Sequence, residues 1–396
     1  MRRDPASARA ATAAVLAAVP VLLAGSGPAL AADDPVRLPV VRTELAGDEA
    51  CTGASARTAR SEPWTARALG LSRAWRYSRG AGVTVAVVDT GVGTSIPALA
   101  GRVETAGGGG GDCVGHGSFA AGLIAAAPAE GVGAAGVAPA ARILAVRGTA
   151  ERGATTPDLL ADGIRTAADA GARVIYVARA LPAGQKELTA AVAHAADRDA
   201  LVVAPFAPDA LPGDRFAGND EEKAQPLWYW PAAVPEVLSV MDYGAGGGRP
   251  EDAPTALSAD LAAPGDAVVG NGPEGAGHYL GSGSSLAAAH VAGAAALIRS
   301  RHPGLTASET ARRLTATGYP SSPPRLDAYA ALTAVLTDPA GTAPRPAPAD
   351  LPEPAPDAPR HRAVLIASAG GALVVLVAAA AAVIPRGRAR GWKPAE

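Results

Sequence analysis

The stretch Val85-Ala-Val-Val-Asp89-Thr-Gly-Val92 joins a continuous apolar run to a carboxylate and a glycine turn. Continuous runs of β-branched residues are typical of strands covered on both faces. Similar runs occupy residues 143–146, 174–177 and 201–204, and helical patterns occupy residues 119–127, 157–170 and 187–197. This alternation predicts an α/β fold with a doubly wound, mostly parallel sheet and helices on both faces. Ligands of such sheets bind at the carboxyl ends of the strands, where Asp89 lies.

A histidine and a serine follow Asp89 in settings that expose a reactive side chain. His116 lies between two glycines in Asp112-Cys-Val-Gly-His116-Gly-Ser118, just before a helix of small residues. Ser285 begins the helix predicted for Gly281-Ser-Gly-Ser-Ser285-Leu-Ala-Ala-Ala-His290-Val-Ala-Gly293, where backbone N–H groups favour developing negative charge. Taken singly, Asp89 is more often a turn residue, His116 a helix-start residue and Ser285 an N-cap. The order Asp, His, Ser is that of subtilisin-type serine proteases, whereas chymotrypsin-type and α/β-hydrolase enzymes use other orders.

Further blocks of sequence resemble the subtilases, in the order in which that family carries them. The resemblance covers about residues 61–336, and its blocks include Pro63-Trp64, Leu71-Ser-Arg-Ala-Trp75, Val137-Ala-Pro139, Trp230-Pro-Ala-Ala-Val-Pro-Glu-Val-Leu-Ser-Val240, Ala262-Ala-Pro-Gly265 and Arg325-Leu-Asp-Ala-Tyr-Ala-Ala-Leu332. It implies a subtilisin-like serine endopeptidase that acts on a protein or peptide and uses neither a metal nor another cofactor. Ser285 would attack the peptide carbonyl, His116 would carry the proton, and Asp89 would orient the imidazole.

The oxyanion hole is where the chain departs most from this family. Subtilases usually carry Ala-Gly-Asn after a strand, and the Asn side chain completes the hole. The corresponding stretch Leu201-Val-Val-Ala-Pro-Phe-Ala-Pro-Asp209 puts Pro208 or Asp209 at that place, and an Asp carboxylate would repel an oxyanion. Asn219 also follows an Ala-Gly pair, but in polar loop sequence. The Ser285 N–H remains as a donor, and in a subtilisin the loss of one side-chain donor lowers the rate about 100- to 1,000-fold.

A second departure affects substrate recognition. The family's Asn-x-Ser-Leu-Gly substrate strand aligns with Tyr176-Val-Ala-Arg-Ala180, which introduces Arg179. A peptide could still pair its backbone with this strand, but the side-chain pockets must differ. Substrate specificity therefore does not follow from the resemblance.

Both ends of the chain carry membrane signals. Residues 1–31 combine two arginines, a short apolar run and Ala29-Leu-Ala31, which are the features of a cleaved secretory signal peptide. Residues 363–384 are uncharged and apolar over a length that can cross about 30 Å of hydrocarbon, so they predict a transmembrane helix. A buried helix is the alternative for each segment. Arginines and a lysine in residues 385–396 predict a cytoplasmic tail, with the catalytic domain extracytoplasmic at the cell membrane.

The exported part divides into three predicted regions. These are an N-terminal extension at residues 32–60, the catalytic domain at residues 61–336, and a Pro-rich stalk at residues 337–362. Cys51 and Cys113 are the only cysteines and both lie in this part, so a disulfide is predicted, with two free thiols as the alternative. The formal net charge of -2 gives no reason to expect a nucleic-acid partner.

Within the subtilases, the whole arrangement resembles a narrower group, the mycosins. The features that carry this resemblance are the signal peptide, the short extension, the cysteine before the His motif, the stalk and the membrane anchor. Mycosins are membrane-anchored subtilases associated with type VII secretion, so the resemblance implies secretion components as partners. Three functions stay open. They are a serine endopeptidase, a catalytically weak or inactive subtilase that stabilises a secretion complex, and a surface protein that captures peptides without turnover.

Overall fold

The computed structural model describes residues 37–209, 228–251, 253–336, 358–391 and 393. The chain divides into two units, one ending at Val335 and the other beginning at Leu336. Among the described residues, the first unit holds the α/β fold and the second holds one long helix. The predicted signal peptide and residues 337–357 of the predicted stalk lie outside the described residues.

A seven-stranded parallel sheet forms the centre of the first unit, with strand order β2-β3-β1-β4-β5-β6-β7. The strands are β1 (Thr84–Asp89), β2 (Val103–Ala106), β3 (Arg142–Arg147), β4 (Val174–Val177), β5 (Leu201–Pro205), β6 (Val237–Tyr243) and β7 (Leu261–Pro264). In the register of the central strand, Ala86 lies opposite Leu144 on one side and Ile175 on the other. Because neighbouring strands are parallel, their carboxyl ends share one edge, and Asp89 is the last residue of β1.

Helices cover both faces of this sheet. They are α1 (Trp64–Ala68), α2 (Leu71–Ala74), α3 (His116–Ala125), α4 (Pro157–Asp169), α5 (Gln185–Ala196), α6 (Ser284–Arg301), α7 (Ala307–Ala316) and α8 (Ala328–Thr333). The pair α4 and α5 packs on one face, and the pair α3 and α6 packs on the other. A short antiparallel hairpin of β8 (Val268–Asn271) and β9 (His278–Gly281) precedes α6.

The central strand shows why the apolar run is continuous. Val85 and Val87 are fully buried in the core shared with α3 and α6, whereas Ala86 and Val88 are fully buried in the core shared with α4 and α5. A strand covered on both faces has no solvent-facing position at which a polar residue would be favoured. The predicted α/β fold with its mostly parallel sheet is therefore confirmed.

The helix α6 is buried on every side from Ser284 to Arg299 and packs against β4, β5, β6 and β7. Its many alanines favour the helix and keep its surface narrow, so that it can lie close to the sheet. The helix α3 begins at His116, three residues earlier than the helical pattern of residues 119–127 indicated. Gly115 precedes it with a φ of 92°, a left-handed conformation that glycine adopts without steric cost.

The segment before α1 is attached to the α/β fold by several contacts. Its Val40 pairs with Leu280 of β9, and the Val41 N–H donates to the Leu280 carbonyl at 2.9 Å. Further along, Cys51 is bonded to Cys113, with an S–S distance of 2.06 Å, so the predicted disulfide is confirmed. The Thr52 N–H adds a hydrogen bond to the Cys113 carbonyl at 2.8 Å.

The second unit consists, among its described residues, of the helix α9 (Ala358–Ala389). Within it, Arg362–Ala389 is long and apolar enough to cross a membrane, and its side chains are almost all exposed. An exposed apolar surface of this length is unfavourable in water and favourable in hydrocarbon. The segment predicted from sequence, residues 363–384, lies inside this helix.

We expect the disulfide to stabilise the fold by restricting the conformations of the unfolded chain. The bond closes a loop of 62 residues, for which the chain-entropy model gives about 4 kcal/mol. Replacing Cys51 and Cys113 by Ser should lower the free energy of unfolding by an amount of that order, measured by urea denaturation. The single Cys51→Ser change should lower the free energy of unfolding by as much as the double change. A loss below about 1 kcal/mol would contradict the model.

Candidate active site

Three side chains from distant parts of the sequence meet at the carboxyl edge of the sheet. Asp89 ends β1, His116 begins α3, and Ser285 lies in the first turn of α6. The Asp89 Oδ2 lies 2.7 Å from the His116 Nδ1, and the His116 Nε2 lies 3.1 Å from the Ser285 Oγ. All three residues are almost fully buried. The imidazole therefore bridges a carboxylate and a hydroxyl, an arrangement that can activate the hydroxyl as a nucleophile.

The start of α3 can approach β1 closely because residue 117 is glycine. A Cβ at Gly117 would lie 2.0 Å from the Gly91 carbonyl oxygen and 3.1 Å from the Asp89 Cβ. No real Cβ tolerates the first of these distances, so a side chain here would separate the helix from the strand end. The backbone N–H of Thr90 also donates to the Asp89 Oδ1 at 2.7 Å, which fixes the carboxylate in its plane.

A second buried carboxylate, Asp112, ties the loop before α3 to the end of β1. Its Oδ1 accepts from the Thr90 hydroxyl and the Gly115 N–H, both at 2.8 Å. Its Oδ2 accepts from the N–H and the hydroxyl of Ser118, at 2.8 and 2.7 Å. Burial raises the pKa of Asp112, although these hydrogen bonds oppose the rise. Asp112 is not among the site residues predicted from the sequence, although it is the first residue of the His116 motif and adjoins Cys113.

Electrostatics around His116 are set by two carboxylates. Burial alone would lower the pKa of His116, but Asp89 and Asp209 outweigh burial and raise it to about 9. The Asp209 Oδ2 lies 3.6 Å from the His116 Nε2. An imidazole in this environment holds its proton at neutral pH.

Asp209 also contacts the nucleophile directly. The Ser285 N–H donates to its Oδ1 at 2.9 Å, and the Ser285 hydroxyl donates to its Oδ2 at 2.5 Å. A Cβ at Gly283 would lie 2.1 Å from the Asp209 Cγ, so glycine is required for this approach. Of the two residues that the sequence left open for this place, Asp209 is the one that reaches Ser285. Asn219 lies outside the described residues.

A pocket opens beside Asp209. Thr43 and Glu44 of the N-terminal segment line it together with residues 178–181 and Gly153. Arg179 crosses this region, and its Nη2 donates to the Gly153 carbonyl at 2.8 Å and to the Thr43 carbonyl. Across the described ranges, no group of three or more His, Cys, Asp or Glu side chains could hold a metal ion.

The sequence and the fold are similar to those of known proteins. The model of the subtilase family, Peptidase S8, matches residues 80–330. Mycosin-3 of Mycobacterium tuberculosis (strain ATCC 25618 / H37Rv) is 36% identical, over 76% of this chain and 78% of the relative. The solved MycP3 protease from the type VII (ESX-3) secretion system has a TM-score of 0.60 and 34% identity, covering 72% of this chain and 92% of that one.

A chain in the structure of an intact ESX-5 inner membrane complex is similar over a longer stretch. Its TM-score is 0.63 at 26% identity, and the match covers 89% of this chain and 97% of that chain. The resemblance to subtilases and mycosins inferred from motifs is confirmed by these matches.

We expect Gly117→Ala to disable the site without unfolding the protein. The added Cβ must push α3 or the Gly91 turn aside, which lengthens the contact between Asp89 and His116 and costs roughly 1–3 kcal/mol. The rate at which a fluorophosphonate modifies Ser285 should fall at least about tenfold. Gly248→Ala is the matched control, because nothing lies within 4 Å of its Cβ position. Equal rates for the Gly117 variant and the wild type would contradict this steric argument.

Proposed function

The chain belongs to the subtilase family of serine proteases, and we propose that it is a membrane-anchored endopeptidase whose chemistry is carried by Asp89, His116 and Ser285. The observation that carries this proposal is the position of the His116 ring, 2.7 Å from a carboxylate oxygen and 3.1 Å from a serine hydroxyl. The family relationship supports the same assignment.

The proposed reaction is acyl transfer. Ser285 Oγ attacks a peptide carbonyl while the His116 Nε2 takes the hydroxyl proton, and His116 then returns that proton to the leaving amine. Asp89 holds the ring with its Nδ1–H toward the carboxylate and stabilises the imidazolium. Water hydrolyses the acyl-enzyme by the same proton transfers. The N-terminus of α6 places the Ser285 N–H where negative charge develops on the carbonyl oxygen.

We propose that α9 anchors the protein in the cell membrane, with the catalytic unit extracytoplasmic. The apolar length of Arg362–Ala389 supports the anchor. Arg386, Arg388, Arg390 and Lys393 follow the apolar residues and support a cytoplasmic C-terminus. In this division, residues 1–31 are a signal peptide, residues 32–60 an extension, residues 61–336 the catalytic domain and residues 337–362 a stalk.

The proposed partners are components of a type VII secretion system. Support comes from the similarity to the MycP3 protease of such a system and to a chain of the ESX-5 inner membrane complex. The second of these similarities extends over 89% of this chain, beyond the family match at residues 80–330. An exported protein or peptide is the proposed substrate.

Asp209 favours a second candidate function, in which the fold acts as a weak or inactive component of the secretion complex. A carboxylate that contacts the nucleophile and lies beside the oxyanion position repels the negative charge that develops during peptide attack. A protein that acts by binding to other components of a complex needs a folded surface but does not need to cleave peptides.

Covalent labelling separates these functions. A fluorophosphonate should modify the wild-type full chain in detergent and should not modify Ser285→Ala or His116→Ala. Thermal unfolding shows whether each variant is folded. A folded wild type that stays unlabelled at every pH from about 5 to 11, a span that brackets the ordinary His pKa and its raised value here, would leave the complex component as the function.

Membrane orientation is tested with an epitope fused to the C-terminus. Protease added outside intact cells should digest the catalytic unit and leave the epitope attached to α9. Permeabilised cells should lose both. Removal of the epitope from intact cells would contradict the proposed orientation.

A further inference from the structure

Asp209 receives both hydrogen atoms that Ser285 can donate. The Ser285 N–H donates to the Asp209 Oδ1 at 2.9 Å, and the Ser285 hydroxyl donates to the Asp209 Oδ2 at 2.5 Å. The backbone donor is the one that an oxyanion needs, and the hydroxyl hydrogen is the one that His116 must remove. In this state the Asp209 carboxylate lies at the position where the oxyanion would form during peptide attack.

When Asp209 is charged, the protons on His116 and Asp209 are not where peptide attack needs them. With Asp89 and Asp209 nearby, the pKa of His116 rises to about 9, against the effect of its burial. At neutral pH the His116 imidazole therefore holds its proton and gives no general base, while the Asp209 carboxylate accepts hydrogen bonds from Ser285 and donates none. The His116 Nε2 and the Asp209 Oδ2 lie 3.6 Å apart, and the Ser285 hydroxyl connects them, at 3.1 Å from the first and 2.5 Å from the second. When the Ser285 hydroxyl gives its hydrogen to Asp209 and takes the one on His116, His116 becomes a base and Asp209 becomes a donor.

We propose that His116 and Asp209 share one proton, and that the enzyme reacts only from the isomer in which Asp209 holds it. This proposal rests on the proposed protease function and adds Asp209 as a catalytic residue. A neutral carboxyl group can donate a hydrogen bond, a role known for a protonated Asp in the oxyanion hole of ketosteroid isomerase.

In the reactive isomer His116 is neutral, and the Asp209 O–H faces the substrate carbonyl oxygen. Ser285 Oγ forms a bond to the carbonyl carbon, its proton passes to the His116 Nε2, and the carbonyl π electrons move to the oxygen. As the substrate binds, its carbonyl oxygen replaces the Asp209 Oδ1 as the acceptor of the Ser285 N–H, and the oxyanion then accepts from this N–H and from the Asp209 O–H. When the C–N bond breaks, His116 gives its proton to the amine, and Asp209 keeps its own proton throughout.

Other titratable groups face this pair from neighbouring elements. Asp89 faces His116 from the end of β1, and its carboxylate is needed to orient the ring. Tyr176 on β4 is fully buried, and burial raises its pKa well above the ordinary value, with Asp89 and Asp209 adding to the rise. Arg179 and Glu44 line the pocket beside Asp209.

This sharing predicts an unusual pH profile. The number of protons in the pair is the same in the resting and reactive isomers, so the wild-type rate should be flat around neutral pH. Above about pH 9 the pair loses its proton, Asp209 is charged without a proton to donate, and the rate should fall about tenfold per pH unit. A subtilase whose oxyanion hole contains the usual Asn does not need a protonated carboxyl group, so its rate should not fall for this reason.

The test is the rate of fluorophosphonate labelling of the full chain in detergent, measured from pH 5 to 11 for wild type and Asp209→Asn. The carboxamide donates at every pH and lowers the pKa of His116 by removing a charge. The Asn variant should react at least about tenfold faster at pH 7 and should show no alkaline decline. Asp209→Ala removes the charge without supplying a donor, so it should also lack the decline but react more slowly than the Asn variant.

Asp48→Asn is the matched control, because Asp48 is an exposed carboxylate in the N-terminal segment, and it should keep the wild-type profile. Circular dichroism and thermal unfolding verify that each variant is folded. A wild-type profile without an alkaline decline, or the same decline in Asp209→Asn, would overturn proton sharing. Equal rates for the Ala and Asn variants would overturn the donor role of Asp209. An absence of labelling in all folded proteins at every pH would instead overturn the proposed protease function.

Discussion

Close packing between the end of β1 and the start of α3 is the constraint on which the site depends. Glycine at residue 117 lets the helix backbone reach the Gly91 carbonyl, and Asp112 secures the loop with four hydrogen bonds from three residues. Each of these bonds is made inside the protein, where an unpaired donor would cost about 1–3 kcal/mol. His116 and Asp89 are consequently held together at the junction of β1 and α3, and the packing of α6 against α3 and the sheet brings Ser285 to the His116 ring.

Most of the fold and the meeting of three side chains could be predicted because they follow from local patterns. The continuous apolar runs reflect strands covered on both faces, and the glycines around His116 and the small residues after Ser285 reflect close approach of backbones. Parallel pairing then brings the strand ends together by topology alone. The disulfide followed from the count of two cysteines in a chain that the sequence predicts to be exported.

The remaining features depend on contacts that no local pattern encodes. The four hydrogen bonds to Asp112 require the loop to fold back on Thr90, and an isolated Asp is equally suited to a solvated turn. The contact between Asp209 and Ser285 joins residues 76 positions apart and depends on the missing side chain at Gly283. The sequence shows no Asn at the place where the family usually carries its oxyanion donor, but it does not show that Asp209 contacts the nucleophile. At the N-terminus of α6, the Ser285 N–H therefore already has an acceptor in the Asp209 side chain.

The bond between Cys51 and Cys113 also bears on how the chain could be processed. A cut within residues 52–60 would divide the polypeptide, yet residues 37–51 would stay covalently joined to the loop just before His116. The short strand pairing at Val40 and the hydrogen bond from Leu45 to the Arg152 carbonyl would hold the same piece in place. A nicked molecule would thus be a two-chain protein that still carries its N-terminal segment, including the Thr43 and Glu44 wall of the pocket. Under reducing conditions the two pieces of such a molecule would separate on a denaturing gel, whereas the intact chain would run as one band.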